Sequence, residues 1–456
     1  MQALLTHVGQ RWCQQHARRL PAAAVPSGLN AQQWIVLLEL LRGTVVPWSG
    51  QRELEPLVGH GLVELSDHDL GPEALALRAA RTPLENLERA TLEYTTECEG
   101  KCLHCRNQGQ APVTEVEPER LYPAVDTLVD LGILRFDFIG GEVLRHGFGW
   151  LEVVERIRTW PGTTVSVVTS GWFLDGRDFE AAGRSYRNAL EFLQDLARSG
   201  VTHLTFSLDG PREIHDHWRR APGLHDRVLA GFELARKAGL RPQVSLINRP
   251  FLEDPVIRTW LQEVSEALYG PELDAGPDAR LTRLLGDDYN YVSNLVDVGA
   301  AMALRQGRIR IKEVEDRHLR CKNFFRPFPS LFLNATGAVT TCPLMGGQPG
   351  FGDLYRPGLV HTLNHMHESP IFRLHAEGRL GDYRRWLDPR VFGDRIDHIC
   401  TLRVALTRLA LALDGGACDP GNPAALRALN EEVAASMGQV LPESIRLAIQ
   451  GKPALL

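Results

Sequence analysis

Three cysteines fall within eight residues of this chain, at Cys98, Cys102 and Cys105, in the spacing C-x3-C-x2-C. Thiolates this close together can hold three corners of an iron–sulfur cube. The next cysteine in the chain is Cys321, so one iron of such a cube would stay open to a small ligand. A zinc site or chance clustering is the alternative, but zinc sites usually pair two C-x2-C-like halves. The run therefore predicts an iron–sulfur site with one accessible iron.

Segments rich in β-branched and aromatic residues alternate with helical segments after the cysteine run. Strands are predicted near 91–96, 133–139, 164–169, 201–207 and 242–248, with a sixth in 278–300. This alternation is typical of parallel βαβ units and of an α/β fold, in which ligands bind at the carboxyl ends of the strands. The cysteine run follows the first strand, so we expect polar segments after the later strands to converge on it.

Polar residues directly follow the second and third predicted strands. Gly140, Gly141 and Glu142 come after the second; the glycines let the backbone approach a ligand closely, and the glutamate can accept a hydrogen bond from an ammonium group. Ser170 ends the third strand. Each feature alone is more often an ordinary turn or strand end, but their order after the cysteine run favours a shared ligand site.

The fourth strand leads into the segment Ser-Leu-Asp-Gly-Pro, with Ser207 and Asp209 at its carboxyl end. Arg219 follows in the next segment, and Arg220 and Arg227 are further candidates for a cation at this site. A strand-end hydroxyl and a solvated arginine are the ordinary interpretation of such residues. Their position nevertheless puts them at the same predicted edge of the sheet as the cysteines.

The cysteine run, the Gly-Gly-Glu turn and the Ser-Leu-Asp-Gly-Pro segment resemble the signature of the radical S-adenosylmethionine (SAM) enzymes, in particular the subgroup that modifies peptides and proteins. The resemblance implies a partial (β/α)6 barrel over residues 87–300, with a [4Fe–4S] cluster on the three cysteines. In that family the open iron chelates the amino and carboxylate groups of SAM. The reduced cluster cleaves SAM to a 5′-deoxyadenosyl radical, which abstracts hydrogen from the substrate.

The resemblance also assigns SAM contacts to individual residues, although it assigns no catalytic base. The implied contacts are Gly140, Gly141 and Glu142 at the amino group, Ser207 and Arg219 at the carboxylate, Ser170 and Asp209 on the ribose side, and His104 beside the adenine. Some relatives carry a proton-accepting aspartate directly after a cysteine that corresponds to Cys342. Here that position is Pro343, so an oxidation that uses this base is not expected.

Four further cysteines follow the predicted barrel: Cys321, Cys342, Cys400 and Cys418. The first two flank a predicted hairpin in the spacing C-x15-G-x4-C, which resembles the start of a SPASM or twitch extension. A full SPASM domain has seven cysteines, and Arg403 stands where a partner of Cys400 would be. The resemblance therefore implies one auxiliary [4Fe–4S] cluster on these four thiolates, in an extension with terminal helices over residues 301–456. A buried apolar thiol is the alternative for Cys418.

Residues 1–86 have a different character. An apolar helix around 34–41 is followed by a glycine and then by Leu62 and Val63, which enter a predicted strand. This pattern is that of a small winged-helix-like domain and resembles the PqqD-like elements that bind the leader of a precursor peptide. Such domains add an extended peptide to a sheet edge. The alternative is a packing domain without a ligand.

The composition limits the remaining classes of function. The 456 residues carry a net charge of −6 and no dense basic face, which gives no reason to expect a nucleic-acid or membrane surface. No signal peptide and no apolar run of twenty residues is present. Seven of the eight cysteines fall in the two clusters, which does not suggest a disulfide framework. We therefore expect a cytoplasmic enzyme.

The predicted function is that of a radical SAM oxidoreductase or peptide maturase, which abstracts hydrogen from a ribosomally made peptide and modifies it by a crosslink or another oxidative step. The implied partners are a precursor peptide and a low-potential electron donor such as flavodoxin or ferredoxin. Two alternatives remain, namely a radical SAM enzyme that acts on a small metabolite and a non-catalytic iron–sulfur scaffold. The sequence gives neither the bond formed nor the fate of SAM.

Overall fold

The computed structural model describes residues 2–19, 29–41, 46–47, 55–66, 84, 87–100, 102–105, 114–145, 149–181, 183–247, 255–270, 276–286, 291–293, 309–319, 330–341, 350–396 and 399–437. The strands are β1 (Gln2–Leu5), β2 (Val46–Pro47), β3 (Val63–Ser66), β4 (Arg89–Thr95), β5 (Arg135–Gly140), β6 (Thr164–Thr169), β7 (Arg177–Ala181), β8 (Arg184–Asn188), β9 (His203–Leu208), β10 (Arg241–Ile247), β11 (Tyr291–Ser293), β12 (Ile309–Arg310), β13 (Ser330–Leu333), β14 (Ala338–Thr340), β15 (Gly352–Asp353) and β16 (Arg395–Ile396).

Helices separate most of these strands. The α-helices are α1 (His7–Arg19), α2 (Ala31–Leu41), α3 (Glu55–Gly59), α4 (Pro118–Asp130), α5 (Gly149–Arg158), α6 (Ala189–Arg198), α7 (Arg212–Arg219), α8 (Leu224–Lys237), α9 (Pro255–Tyr269), α10 (Pro277–Gly286), α11 (Asp316–Leu319), α12 (Leu359–His365), α13 (Pro370–Ala376), α14 (Pro389–Phe392), α15 (Ile399–Asp414) and α16 (Pro423–Ser436). Short 3₁₀ segments lie at Val143–Arg145, Ile311–Glu313, Met366–Glu368 and Arg379–Trp386, and a π-helical turn lies at Leu354–Gly358.

A mostly parallel sheet forms the centre of the protein, in the order β11-β10-β9-β6-β5-β4-β13-β14-β15. The six strands from β4 to β11 run parallel and follow each other in chain order, apart from the separate β7–β8 hairpin. Right-handed crossovers that always move in the same direction place their helices on one face of such a sheet. The predicted α/β fold is confirmed, the five strands correspond to β4, β5, β6, β9 and β10, and β11 lies within the range given for the sixth.

The two faces of this sheet differ in chemistry. Phe136, Phe138 and Phe206 point to one face and are fully buried in the apolar core. The alternate positions carry polar side chains, because successive residues of a strand face opposite sides. Among these, the Ser166 hydroxyl lies 2.8 Å from Thr205 Oγ1, and Thr205 donates to Gln243 Oε1 at 2.7 Å. At these positions the second face of the sheet is therefore polar, hydrogen-bonded and buried.

The N-terminal region forms a three-stranded antiparallel sheet in the order β2-β1-β3, with α1 to α3 packed beside it. The strand predicted at Val63 and the helix predicted around 34–41 are confirmed as β3 and α2. Apolar side chains of this region, including Val8 and Leu37, belong to the same buried core as the central sheet. The N-terminal region thus shares a continuous apolar core with the central sheet.

Arg11 on α1 is the main polar link between the two regions. Its side chain is 5% exposed, and it donates to Leu131 O at 3.0 Å and to Leu87 O at 2.8 Å. Asn364 makes a second link, accepting from Val8 N at 2.9 Å and donating to Gly61 O at 2.9 Å. The Arg11 bonds supply donors to the carbonyl groups of two fully buried residues, Leu87 and Leu131.

We expect Arg11→Met to lower the free energy of unfolding by about 2–3 kcal/mol, because two charge-assisted bonds are lost while their acceptors stay buried. Chemical denaturation followed by circular dichroism measures this change. Arg187→Met is the matched control, since Arg187 in β8 is 82% exposed and pairs with Glu191 in the first turn of α6. Equal denaturation curves for the wild type and Arg11→Met would contradict the role of Arg11 as a structural link.

The predicted hairpin after residue 330 is confirmed as β13 and β14, which pair in antiparallel fashion. Asn334 Oδ1 accepts from Ala338 N at 2.7 Å, and Gly337 has a φ of 99°, which together close the turn. Sequence analysis did not predict that β13 also pairs in parallel with β4, so that the hairpin extends the central sheet. Part of the region assigned to residues 301–456 therefore belongs to that sheet.

Helices α13 to α16 pack around two apolar clusters of their own, one of which includes Leu409 and the other Leu406. His375 on α13 lies among them, with its Nε2 2.9 Å from Thr407 Oγ1. Thr407 donates its hydroxyl proton to Arg403 O, so it must accept from Nε2–H of the imidazole. None of the helices in the ranges described above is long and apolar enough to cross a membrane.

Burial, together with the charge of Arg403, lowers the pKa of His375 from 6.5 to about 3. Between pH 6.5 and 3 the His375 imidazole therefore binds a proton in the unfolded chain but not in the folded one. The free energy of unfolding falls as the pH drops through this range. At pH 5 the loss from this group is about 2 kcal/mol. His375→Gln keeps a donor for Thr407 but cannot titrate, so its stability should fall less between pH 6.5 and 5 in urea unfolding. Parallel curves would contradict this; the exposed His367→Gln serves as the control.

Candidate iron–sulfur and SAM site

The loop that carries Cys98, Cys102 and Cys105, here called the cysteine loop, follows β4 at the carboxyl edge of the sheet. Gly100 lies between two of its sulfurs. A Cβ added there would be 3.3 Å from Cys98 Sγ and 3.6 Å from Cys102 Sγ. Cys105 N donates to Cys102 O at 3.2 Å, which closes a turn around the third thiol. The sequence run is thus folded so that its thiols face a common space.

Burial raises the pKa of the Cys98 thiol, against the effect of a hydrogen bond from the Gly100 backbone. Burial also raises the pKa of Cys102 to about 12, although the charge of Arg219 opposes this. The metal-free thiols are therefore protonated at neutral pH, and a metal must displace their protons. Binding of a thiolate-ligated group to this loop should strengthen as the pH rises.

The donor set distinguishes a cluster from a single ion. In the described ranges, no three His, Cys, Asp or Glu side chains surround a single-ion position. A structural zinc site would also need four ligands about 2.0–2.3 Å from one point, and the loop supplies three cysteines. Three thiols on one loop, with a cationic side chain beside them, fit an iron–sulfur cube that bridges larger gaps.

Gly140 and Gly141 fit tightly against the start of the cysteine loop. Gly141 N donates to Thr95 O at 2.7 Å, and Glu142 N donates to Glu97 O at 3.0 Å. A Cβ at Gly140 would lie 1.9 Å from Thr95 O, and one at Gly141 would lie 1.6 Å from Glu97 O. Both positions need glycine because another segment of backbone is this close. Sequence analysis attributed that need to a ligand, whereas the structure attributes it to the chain itself.

Glu142 and Ser170, which were predicted separately, are in direct contact. The Glu142 carboxylate is 3% exposed and accepts from Thr169 Oγ1 at 2.7 Å through one oxygen. Its other oxygen accepts from Ser170 N at 2.8 Å and from Ser170 Oγ at 2.7 Å. Sequence reasoning missed Thr169, although its place next to Ser170 at a strand end was a usable signal. The three residues hold one carboxylate at the carboxyl edge of the sheet.

Ser207 lies in β9 and is half-buried. In the sheet register, Thr169 pairs with Phe206, so Ser170 and Ser207 follow at the same level of adjacent strands. On the other side, Thr95 pairs with Gly140, so the cysteine loop and the Gly-Gly-Glu turn also leave the sheet together. The structure therefore brings four of the predicted segments to one edge.

Asp209 and Arg219 contact each other. Asp209 is fully buried, and its two oxygens accept from Arg219 Nε at 2.6 Å and Nη2 at 3.1 Å. Burial alone would raise the pKa of Asp209, but the charges of Arg219 and His104 hold it well below its usual range. Of the other arginines considered, Arg220 is exposed, and Arg227 lies 3.3 Å from Asp175. Arg219 is thus the candidate that lies beside the cysteine loop.

His104 is 8% exposed and turns inward, with its ring 5.4 Å from the ring of Trp218. His215, which sequence analysis did not select, accepts from Asp209 N through Nδ1 at 3.2 Å. Burial lowers the pKa of His215, which keeps this acceptor nitrogen unprotonated. The spacing of Asp209 and His215 across the start of a helix was the only signal for this contact in the sequence.

The structure describes two of the four cysteines predicted to hold the auxiliary cluster. Cys321 and Cys342 lie outside the described residues, whereas Cys400 and Cys418 lie within them. Cys400 is in the first turn of α15, and Arg403 Nη1 approaches its sulfur at 3.6 Å while Nη2 donates to His318 O at 2.5 Å. Cys400 therefore lies near the segment that leads towards Cys321.

Cys418 is at the opposite end of α15. A rise of about 1.5 Å per residue separates Cys400 from Asp414 by about 21 Å, and the chain then turns back with Ala417 N donating to Ala412 O. Cys418 packs instead on an apolar cluster. The auxiliary cluster on all four thiolates stays a prediction, and α15 lies between two of its proposed ligands. The alternative of an apolar thiol agrees with the position of Cys418.

Residues 92–252 match the family model described as Radical SAM superfamily, and this segment is a radical SAM domain. Such a domain implies a [4Fe–4S] cluster and SAM, and members of the superfamily are enzymes. The match includes the cysteine loop, Glu142, Ser207 and Arg219. It confirms the core of the predicted resemblance, whereas the SPASM-like and PqqD-like elements lie outside the matched residues.

Curated relatives match about a third of the chain. The AdoMet-dependent heme synthase of Methanosarcina barkeri is 30% identical over 158 residues, 34% of this chain and 40% of that protein. The GTP 3′,8-cyclase of Ectopseudomonas mendocina is 29% identical over 152 residues, 32% of this chain and 41% of that protein. The chain thus spans about 40% of the length of these relatives. Among solved structures, Streptococcus suis SuiB bound to precursor peptide SuiA has a TM-score of 0.38 and 12% identity, over 68% of this chain and 75% of that one.

Proposed function

We propose that this protein is a radical SAM enzyme that cleaves SAM reductively at the cysteine loop and abstracts hydrogen from a bound substrate. The observation that supports this most directly is the convergence of four segments on one edge of a parallel sheet. These are the cysteine loop after β4, Glu142 after β5, Ser170 after β6 and Ser207 in β9. Ligands of such sheets bind at this edge.

Cys98, Cys102 and Cys105 would hold the [4Fe–4S] cluster, which supplies the electron that cleaves SAM when both are bound. Glu142, fixed by Thr169 and Ser170, presents a carboxylate suited to the amino group of SAM. The Ser207 hydroxyl would donate to the SAM carboxylate.

For the substrate we propose a peptide. The segment from Ser207 to Arg219 resembles that of the peptide-modifying subgroup, and a small antiparallel sheet at residues 2–66 is packed on the domain, where β-strand addition can hold a leader segment. The electron donor would be a flavodoxin or ferredoxin. An auxiliary cluster would draw on Cys321, Cys342 and Cys400, because Cys400 lies close to the segment that precedes Cys321.

A small metabolite is the second candidate substrate. The curated relatives that match the radical SAM domain are named for haem and GTP chemistry. Their similarity is confined to about a third of this chain, so it bears on SAM cleavage more directly than on the substrate.

The test is an anaerobic assay. The protein is reconstituted with iron and sulfide, SAM and dithionite are added, and 5′-deoxyadenosine is measured by chromatography. Turnover is then compared with a synthetic peptide translated from the reading frame beside the gene, with Fe-coproporphyrin III and with GTP. Stimulation by the peptide and a mass change in it support the proposal. Stimulation by either small molecule supports the second candidate, and no cleavage under any condition leaves a non-catalytic scaffold.

A further inference from the structure

We infer that Asp209 and Arg219 are positioning residues that fix the cysteine loop from the inside of the protein, and that they do not act chiefly as SAM contacts. This inference rests on the proposed function of the loop as the cluster site. It reassigns two residues that the family resemblance places against SAM.

The first observation is the geometry of the ion pair. Asp209 has no exposed surface, and both of its oxygens are held by the guanidinium of Arg219 at 2.6 and 3.1 Å. This two-point geometry is the strongest that an arginine and a carboxylate form. A carboxylate that is buried and held in this way has no surface to offer to a ribose. Two nitrogens of Arg219 are likewise already bonded to protein.

The second observation is that the pair is joined to the cysteine loop at its centre. His104, between the second and third cysteines, has its Nε2 3.3 Å from Asp209 Oδ1. The preceding residue, Leu103, donates its backbone N–H to Trp218 O at 2.8 Å. The His104 ring also packs on the Trp218 ring. Leu103 and His104, the two residues between Cys102 and Cys105, are thus held by contacts with Asp209 after β9 and with Trp218 near the end of α7.

The third observation is the charge that this arrangement places beside the thiols. The guanidinium of Arg219 lies close enough to Cys102 and Cys105 to interact with both electrostatically. Asp209 keeps the guanidinium in place and keeps it charged. Charge and hydrogen bonds near the sulfurs are among the factors that set the potential of an iron–sulfur cluster. Residues behind metal ligands also set the orientation of those ligands.

The experiment compares Asp209→Asn and Arg219→Lys with Ser207→Ala, which changes a proposed SAM contact on the same strand. Each variant is reconstituted anaerobically. Iron release to a chelator, the visible and electron paramagnetic resonance spectra, the midpoint potential of the cluster and SAM affinity by equilibrium dialysis are then measured. Circular dichroism of the metal-free proteins checks that they fold. Where Asp209→Asn does not fold, Arg219→Lys and His104→Gln carry the test.

We expect the Asp209 and Arg219 variants to hold iron about 10-fold more weakly, as is typical when a residue behind a ligand is changed, and to shift the midpoint potential and the spectrum. Ser207→Ala should keep the iron, spectrum and potential of the wild type and lose only SAM affinity. The inference is overturned if Asp209→Asn and Arg219→Lys keep wild-type iron retention and potential while SAM affinity falls. A wild-type protein that takes up no cluster would instead refute the proposed function.

Discussion

Cys102→Ala should abolish formation of 5′-deoxyadenosine, down to the level of a reaction without protein. Cys102 is one of only three thiols on the cysteine loop, and its sulfur shares the space beside Gly100 with that of Cys98. With two thiolates left on the loop, one iron of the cluster would lack its cysteine ligand. The iron content per protein chain should therefore fall as well. The measurements are chromatography of the anaerobic reaction and colorimetric iron analysis of the reconstituted protein.

Cys418→Ala is the matched control for this experiment. It removes the same chemical group from a residue that packs on an apolar cluster far along α15. Iron content and SAM cleavage should remain those of the wild type. Persistence of SAM cleavage in Cys102→Ala, at the wild-type rate, would remove the cysteine loop from the mechanism.

The second large effect is expected from Gly141→Ala. The added methyl group would lie 1.6 Å from Glu97 O, which is backbone and cannot rotate away. The turn after β5 and the start of the cysteine loop must therefore separate, and the bonds from Gly141 N and Glu142 N to that loop would break. We expect a loss of about 3 kcal/mol or more in stability and poor incorporation of iron. Thermal unfolding and iron analysis measure the two effects.

Gly276→Ala is the corresponding control, because a methyl group added there meets nothing within 4 Å. Its unfolding midpoint and iron content should match those of the wild type. If Gly141→Ala also matched the wild type in both respects, the tight contact between the turn and the cysteine loop would not exist in solution.

Much of the central fold could be predicted because its signals are local. Segments such as 164–169 are rich in β-branched residues, and the structure has the strand at these same bounds. The hairpin at β13 and β14 was predictable from Asn334 and Gly337, whose turn chemistry is also local. Pairing of β13 with β4 was not, because it joins residues more than two hundred positions apart and no pattern within either strand specifies its neighbour.

The candidate site shows the same division. Residue types and spacing identified the cysteines, Glu142 and Ser207, because each follows a strand whose carboxyl end is predictable. Sequence alone did not reveal that Glu142 is held by Thr169 and Ser170, or that Asp209 is enclosed by Arg219, His104 and His215. Those contacts depend on how β9, α7 and the cysteine loop pack, which the sequence of no single element determines.

The pairing of β13 with β4 has a consequence for the auxiliary cluster proposed near Cys342. β4 leads into the cysteine loop, and β14, the other strand of the hairpin, ends two residues before Cys342. The spacing between a cluster at the cysteine loop and one near the hairpin would then be set by a ladder of backbone hydrogen bonds, not by a tether. The distance between the two clusters would then stay fixed. The rate of electron tunnelling between them would therefore not change when substrate binds or when a domain moves.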